Sequence, residues 1–180
     1  MPEKIDFMTP TTLKVIEFFF ASSREEFHER EIVRNAKISK GSANKILRQL
    51  AGFKLLARTK KGRMVFYRLN AGDPFVKHLK ILSNLWTLRK FVDENLERAK
   101  KIILFGSCAE GTDARESDID ILILTDEKKP VKESVSEFNQ KSERKIAPII
   151  LDANEYVKLK RDDKPLFESI DRGVVLWETV

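Results

Sequence analysis

Ten residues separate Gly106-Ser107 from the acids Asp118 and Asp120, in the stretch IILFGSCAEGTDARESDIDILIL at 102–124. Residues i and i+2 of a strand project from one face, so the two carboxylates would stand together. Left alone, such neighbours repel and disfavour each other's ionisation. A hard divalent cation, Mg2+ or Mn2+, relieves that repulsion and takes a few carboxylates plus waters and phosphate oxygens as ligands. Gly106 has no Cβ, which lets the backbone approach a phosphate closely. Ser107 adds a hydroxyl where the sequence enters a helix, whose first amides and dipole favour anions. Ser117, just before the acids, can cap or order the approach to them. The chemistry within reach is a metal-assisted reaction at a phosphate.

The elements that must position these residues are legible on both sides. An apolar strand, IILF, precedes the Gly-Ser turn, and a second runs over 118–124. A helix over 130–142, a strand IAPIIL at 146–151, helices near 154–161 and 165–172, and a closing strand at 174–177 complete a mixed α/β sheet domain. Upstream, Pro10 opens a helix with Leu13, Ile16 and Phe18–Phe20 as its buried stripe, and a short second helix covers 29–36. Ser39 caps a third, over 40–51, with Ala43, Ile46, Leu47 and Leu50 inward. Strands at 55–59 and 64–69 then form a hairpin with a basic tip. The turn Asn70-Ala71-Gly72-Asp73-Pro74 leads into a long helix over 75–99, with Phe75, Leu79, Leu82, Leu85, Trp86, Phe91, Val92 and Leu96 at helical spacing. The expected organisation is α+β, with domains at 1–72 and 101–180 and a linking helix at 73–100.

The Gly-Ser and Asp-x-Asp signature between apolar strands resembles that of the nucleotidyltransferase superfamily to which DNA polymerase beta belongs. More closely, it resembles the minimal nucleotidyltransferase domains of prokaryotes. The resemblance implies transfer of a nucleoside monophosphate from an NTP, with ATP the expected one, to a hydroxyl acceptor. Asp118 and Asp120 would be catalytic and hold the metal, while Gly106, Ser107 and Ser117 would serve the nucleotide. It also implies a third carboxylate on a later strand. In KIAPIIL, at 145–151, Ala147 or Pro148 stands at that place, and Glu143 and Asp152 are displaced from it. Neither displaced acid is assigned. Glu110 stands where relatives often carry a basic residue.

Three helices and a basic-tipped hairpin over about 8–72 resemble a winged helix-turn-helix, whose third helix enters the major groove while the wing follows the phosphates. Residues 1–75 hold 15 Lys and Arg against 8 Asp and Glu, a net +7, whereas residues 101–180 hold 13 against 17, a net −4. A basic first part beside an acidic second part suits a polyanion such as double-stranded DNA. Lys40, Ser42, Asn44, Lys45 and Arg48 are the candidates on the third helix, and Arg58, Lys60, Lys61 and Arg63 those on the wing. The run Phe18–Phe20 is read as core, and His28 and His78 as ordinary surface or helix residues.

With Cys108 as the one cysteine there is no internal disulfide and no cysteine zinc cage. Cys108 is expected to be a small, half-buried filler. No apolar window is long enough to cross a membrane, and the opening MPEKIDFMTP lacks a leader's apolar core, so a cytoplasmic setting is expected. Two functions stay open. One is a nucleotidyltransferase acting on a partner protein, a toxin-like acceptor, or on another hydroxyl. The other is a DNA-binding regulator whose impaired nucleotidyltransferase-like domain senses nucleotide or binds a partner. The stripe of the long helix is read as the seam between the two modules, with a homodimer built on that helix as a third alternative.

Overall fold

The computed structural model describes residues 7–22 and 25–179; residues 1–6, within the stretch read for a leader, lie outside the described residues. The chain divides into two compact units, residues 1–76 and 77–180.

In the N-terminal unit, helix α1 (Pro10–Ala21) starts where the Thr9 hydroxyl accepts the Thr12 amide and Pro10 presets the first turn. It buries Thr12, Val15, Ile16 and Phe19, while Leu13, expected inside, is exposed. The two-residue strand β1 (Phe27–His28) leads into α2 (Glu29–Ala36), where His28 Nδ1 accepts the Arg30 amide and Glu31 accepts the His28 amide. His28 is thus a helix cap. Ser39 caps α3 (Lys40–Gly52), which buries Ala43, Ile46, Leu47 and Leu50 as its spacing requires. Strands β2 (Leu56–Lys61) and β3 (Met64–Leu69) form an antiparallel hairpin turning at Gly62-Arg63, and β1 pairs on the other side of β3. Of the phenylalanine run Phe19 is buried and Phe18 and Phe20 half-buried, and the Phe18 and Phe27 rings meet edge to face at 4.7 Å between centroids.

The C-terminal unit is a four-stranded sheet in the order β6-β5-β4-β7. Strand β4 (Lys101–Leu104) runs antiparallel to β5 (Ile119–Leu124) and to β7 (Val174–Glu178). Between β4 and β5 lies a single helical turn, α5 (Gly106–Glu110). Helix α6 (Lys128–Lys141) crosses over so that β6 (Ile146–Leu151) pairs parallel to β5. Ile102, Leu104, Ile119, Ile121, Ile123 and Ile146 pack with Val131 and Val135 of α6 and with Leu88 and Phe91 of α4 (Pro74–Asp93). On the opposite face, Ile103, Phe105 and Leu122 meet α7 (Ala153–Asp162) and α8 (Lys164–Asp171) through Leu159, Leu166 and Ile170. Each fully buried Ile or Leu contributes roughly 1.5–3 kcal/mol. These two apolar layers hold the sheet.

Two expectations fail on α4. The helix ends at Asp93 instead of continuing to 99. Its expected apolar stripe holds only in part: Phe91 is buried and Leu85 and Val92 pack against the core, but Leu82 is 56% and Trp86 74% exposed, whereas Lys80 and Asn84 are buried. At the far edge of the sheet, Pro148 interrupts β6 without breaking it. Ile119 N–H donates to Lys145 O and Thr125 N–H to Leu151 O, so odd-numbered residues of β6 turn their backbone toward β5. The Pro148 nitrogen faces away from the ladder, the one orientation a strand tolerates.

Candidate functional site

Strand β5 begins at Ile119, so Asp118 lies just before it and Asp120 is its second residue. Alternation puts Asp118, Asp120 and Leu122 on the face toward α7 and α8. Leu122 is buried in that layer, Asp120 is half-buried and Asp118 is exposed. The acids therefore stand at the open rim of an apolar layer. Burial first, and the charge of Asp118 second, raise the Asp120 carboxyl above the usual aspartate range.

Gly106 is brought against this pair. Its φ is +65°, and a Cβ added there would lie 2.6 Å from Oδ2 of Asp120. Both the backbone angle and the approach therefore require glycine. Phe105 N–H donates to the Asp120 carbonyl at 3.0 Å, which ties the turn to the strand. Ser107, half-buried, is the second residue of α5, and its carbonyl accepts the amides of Gly111 and Thr112. Gly111, φ +67°, ends the turn against the Lys77 carbonyl. Ser117 is occupied within its own loop: its hydroxyl accepts the Ala114 amide at 3.0 Å, and its amide donates to Ala114 O.

Among the described residues, no third acid joins the pair. In the β5–β6 register Asp120 lies beside Ala147, and Pro148 beside Ile121. Asp152 is at the opposite end of the strands, capping α7 at the Glu155 amide and paired with Lys128 at 3.1 Å. Glu143 is exposed before β6. Among the described residues no group of three or more His, Cys, Asp or Glu is placed to hold a metal. Two carboxylates on one rim do fit a single Mg2+-type cation completed by waters and phosphate oxygens.

Sequence reading missed what lies behind the motif. Lys80, Asn84 and Asp113 are 3%, 5% and 4% exposed. Lys80 donates to the Asp113 carbonyl and lies 3.6 Å from its carboxylate. Asn84 donates to Cys108 O, and Arg144 joins Asn84, Asp113, Cys108 and Ser117. Cys108 is more than a filler, since its sulfur accepts from Arg144 Nη2 at 2.9 Å. Burial, only partly opposed by Arg144, pushes its thiol up, so it stays protonated.

The model of a protein family, the nucleotidyltransferase domain, matches residues 85–175, half of the chain. The chain belongs to that family. Nucleotidyltransferase domains generally use an NTP and a divalent metal. Solved structures similar to the chain include a candidate nucleotidyltransferase from Sulfolobus solfataricus, at 20% identity and TM-score 0.39, covering 59% of this chain and 91% of that one. A toxin–antitoxin with AMP-PNP is 25% identical with TM-score 0.38, covering 53% and 74%. A mutant of the toxin–antitoxin MntA–HpeT is 22% identical with TM-score 0.37, covering 53% and 73%. No curated protein matches the chain. Within the nucleotidyltransferase domain the Gly-Ser turn and the Asp-x-Asp strand meet in space. Among the described residues, no helix is long and apolar enough to cross a membrane.

The residues considered for DNA are mostly presented to solvent. Lys40, Ser42, Lys45 and Arg48 on α3, and Arg58, Lys60 and Arg63 on the hairpin, are exposed. Three are already engaged. Asn44 is half-buried and donates to Glu29 Oε2 at 3.1 Å. Lys61, though exposed, pairs with Glu26 and sits 5.0 Å over the Phe66 ring. Ser39 Oγ donates to the Ser42 hydroxyl, so Ser42 takes part in the cap.

Proposed function

We propose that the C-terminal unit binds an NTP, with ATP the expected one, together with Mg2+ or Mn2+, and transfers the nucleoside monophosphate to a hydroxyl. The observation that carries this reading is the approach of Gly106 to the Asp120 carboxylate, because it unites a phosphate-compatible turn with a metal-compatible pair. Asp118 and Asp120 would hold the cation, and the Gly106 backbone and the Ser107 hydroxyl would face the phosphates. When bound, such a cation neutralises charge on the attacking and leaving oxygens. The acceptor oxygen would bond to the α-phosphorus as the bond to the bridging oxygen breaks. Pyrophosphate leaves with that electron pair, and the hydroxyl proton passes to water. A toxin-like partner protein is the acceptor that the family resemblance implies, in a cytoplasmic setting.

In the test, Mg2+ plus ATP raises the melting temperature more than either alone. Asp118→Asn with Asp120→Asn removes that synergy, yet the empty variant is as stable as wild type or slightly more so at neutral pH. The sign follows from Asp120. A carboxyl whose pKa is raised on folding is at its most stabilising when protonated, and that contribution is lost as pH rises through the folded value. The variant's advantage therefore disappears in acid. A wild type without synergy refutes the site.

A second reading is favoured by Ala147 beside Asp120: nucleotide binding without turnover, in a regulator. α-Labelled ATP separates the two. Label transferred to a partner in an Asp118-dependent manner establishes the enzyme, and binding without transfer establishes the sensor.

The N-terminal unit is proposed to be a winged helix that binds double-stranded DNA. Support comes from the order α1-β1-α2-α3-β2-β3, from its three-stranded sheet and from the exposed cations of α3 and the hairpin. Replacing Lys45, Arg48, Lys60 and Lys61 by alanine should weaken binding and flatten its salt dependence. Each lost phosphate contact removes ~0.9 from the log–log slope. Lys61 contributes least, since it already pairs with Glu26. Mobility shifts across a salt series decide, and an unchanged slope excludes this face.

A further inference from the structure

Ten residues, 108–117, connect the Gly-Ser turn to Asp118, and after α5 they include no helix or strand. Strand pairing and the Phe105–Asp120 hydrogen bond hold its two flanks, but the course of the loop between them, and so the place of Asp118, depends on what ties the loop itself. The Arg144 guanidinium touches it at its first residue, its middle and its last. Nη2 donates to Cys108 Sγ at 2.9 Å, Nη1 lies 3.1 Å from Asp113 Oδ2, and Nε and Nη2 both donate to Ser117 O at 3.2 Å. Nη1 also donates to Asn84 Oδ1 at 2.9 Å, which anchors the fork to α4. The Cys108 thiol in turn donates to the Asp118 carbonyl at 3.5 Å. A planar guanidinium with five fixed donors suits this multiple grip, and an ammonium does not.

Arg144 does not itself face the nucleotide side. It lies two residues before Ile146, whose side chain belongs to the layer with α4 and α6. Asp120 and Ala147 face the opposite layer. We infer that Arg144 is a positioning residue: it clamps the 108–117 loop from behind and thereby sets Asp118 against Asp120 and Gly106. This inference rests on the nucleotide–metal reading above. Loss of the clamp need not unfold the unit, because Lys80 and Asp113 remain as a buried pair of opposite charge.

The test uses the full chain and calorimetry with a non-hydrolysable ATP analogue, with and without Mn2+, on wild type, Arg144→Gln and Arg144→Lys. Denaturant unfolding of each runs in parallel. The expected result is at least a tenfold loss of the Mn2+-dependent affinity in both variants, with metal-free affinity within twofold of wild type. Lysine keeps the charge and loses the fork, so a wild-type-like Arg144→Lys would show that charge alone matters and would overturn the clamp. An equal fall of metal-free and Mn2+-dependent affinity would also overturn it, since that marks general loosening. If Arg144→Gln does not fold, Arg144→Lys decides by the same criteria. A wild type that gains nothing from Mn2+ refutes the site reading itself, and this inference falls with it.

Discussion

Asp113→Asn is expected to destabilise the C-terminal unit by ~3–5 kcal/mol, the usual consequence of removing one partner from a buried ion pair. Asp113 is 4% exposed and faces two cations, Lys80 at 3.6 Å and Arg144 at 3.1 Å. Asparagine keeps the shape and removes the carboxylate that both cations face. Burial already lowers the Lys80 pKa, against the pull of Asp113. Without that pull it drops further. A lysine whose pKa is lowered on folding adds stability above its unfolded value and loses it as pH falls through the folded one. The penalty in Asp113→Asn is therefore largest at neutral pH and shrinks in alkali. Urea unfolding of Asp113→Asn, Lys80→Met and the double variant would show it, the double regaining part of the loss. A shift under 1 kcal/mol would mean that Asp113 is not what balances Lys80.

Gly106→Ala should do the reverse, sparing the fold and destroying the site. An added Cβ would meet Asp120 Oδ2 at 2.6 Å and Cγ at 3.4 Å. The atoms in the way belong to a side chain at an open rim, so the carboxylate can swing aside. The fold then bears mainly the left-handed backbone penalty, about 1–2 kcal/mol. For the site, displacing one of the two proposed ligands by about an ångström implies on the order of a hundredfold loss of metal-dependent nucleotide affinity. Gly111→Ala is the natural contrast. There the clash is with the Lys77 backbone carbonyl, which cannot turn away, so stability should fall instead. Calorimetry with Mg2+ and a non-hydrolysable ATP analogue, beside urea unfolding, tests both. Wild-type affinity in Gly106→Ala would dismiss the Gly106–Asp120 contact as a determinant.

The acids and the glycine were legible because their signal is local. A period of two puts Asp118 and Asp120 together whatever the sheet order, and Ser39 followed by Ala43, Ile46, Leu47 and Leu50 marks α3 unaided. The network behind the loop was not legible, for a physical reason. Helical spacing was read through apolar residues, which turned the face of Leu82 and Trp86 inward. The helix also buries Lys80 and Asn84, whose partner Asp113 is 33 residues from the first and 29 from the second, beyond the reach of a helical pattern. Strand β1 is too short to show a pattern and exists by pairing with β3. The parallel β5–β6 register lies beyond periodicity as well, and it is what makes Ala147, not Pro148, the neighbour of Asp120.

Pro148 has a consequence outside the site. Strand β6 is one margin of the sheet, and its apolar run IAPIIL is of the kind that recruits further strands. Midway along, where the outward backbone would offer an N–H to an incoming chain, the ring offers none. An added strand would lose a central hydrogen bond and meet Cδ hydrogens instead. Pro148 thus acts as a gatekeeper against aggregation, keeping a necessary hydrophobic margin from becoming a template for self-association at high protein concentration.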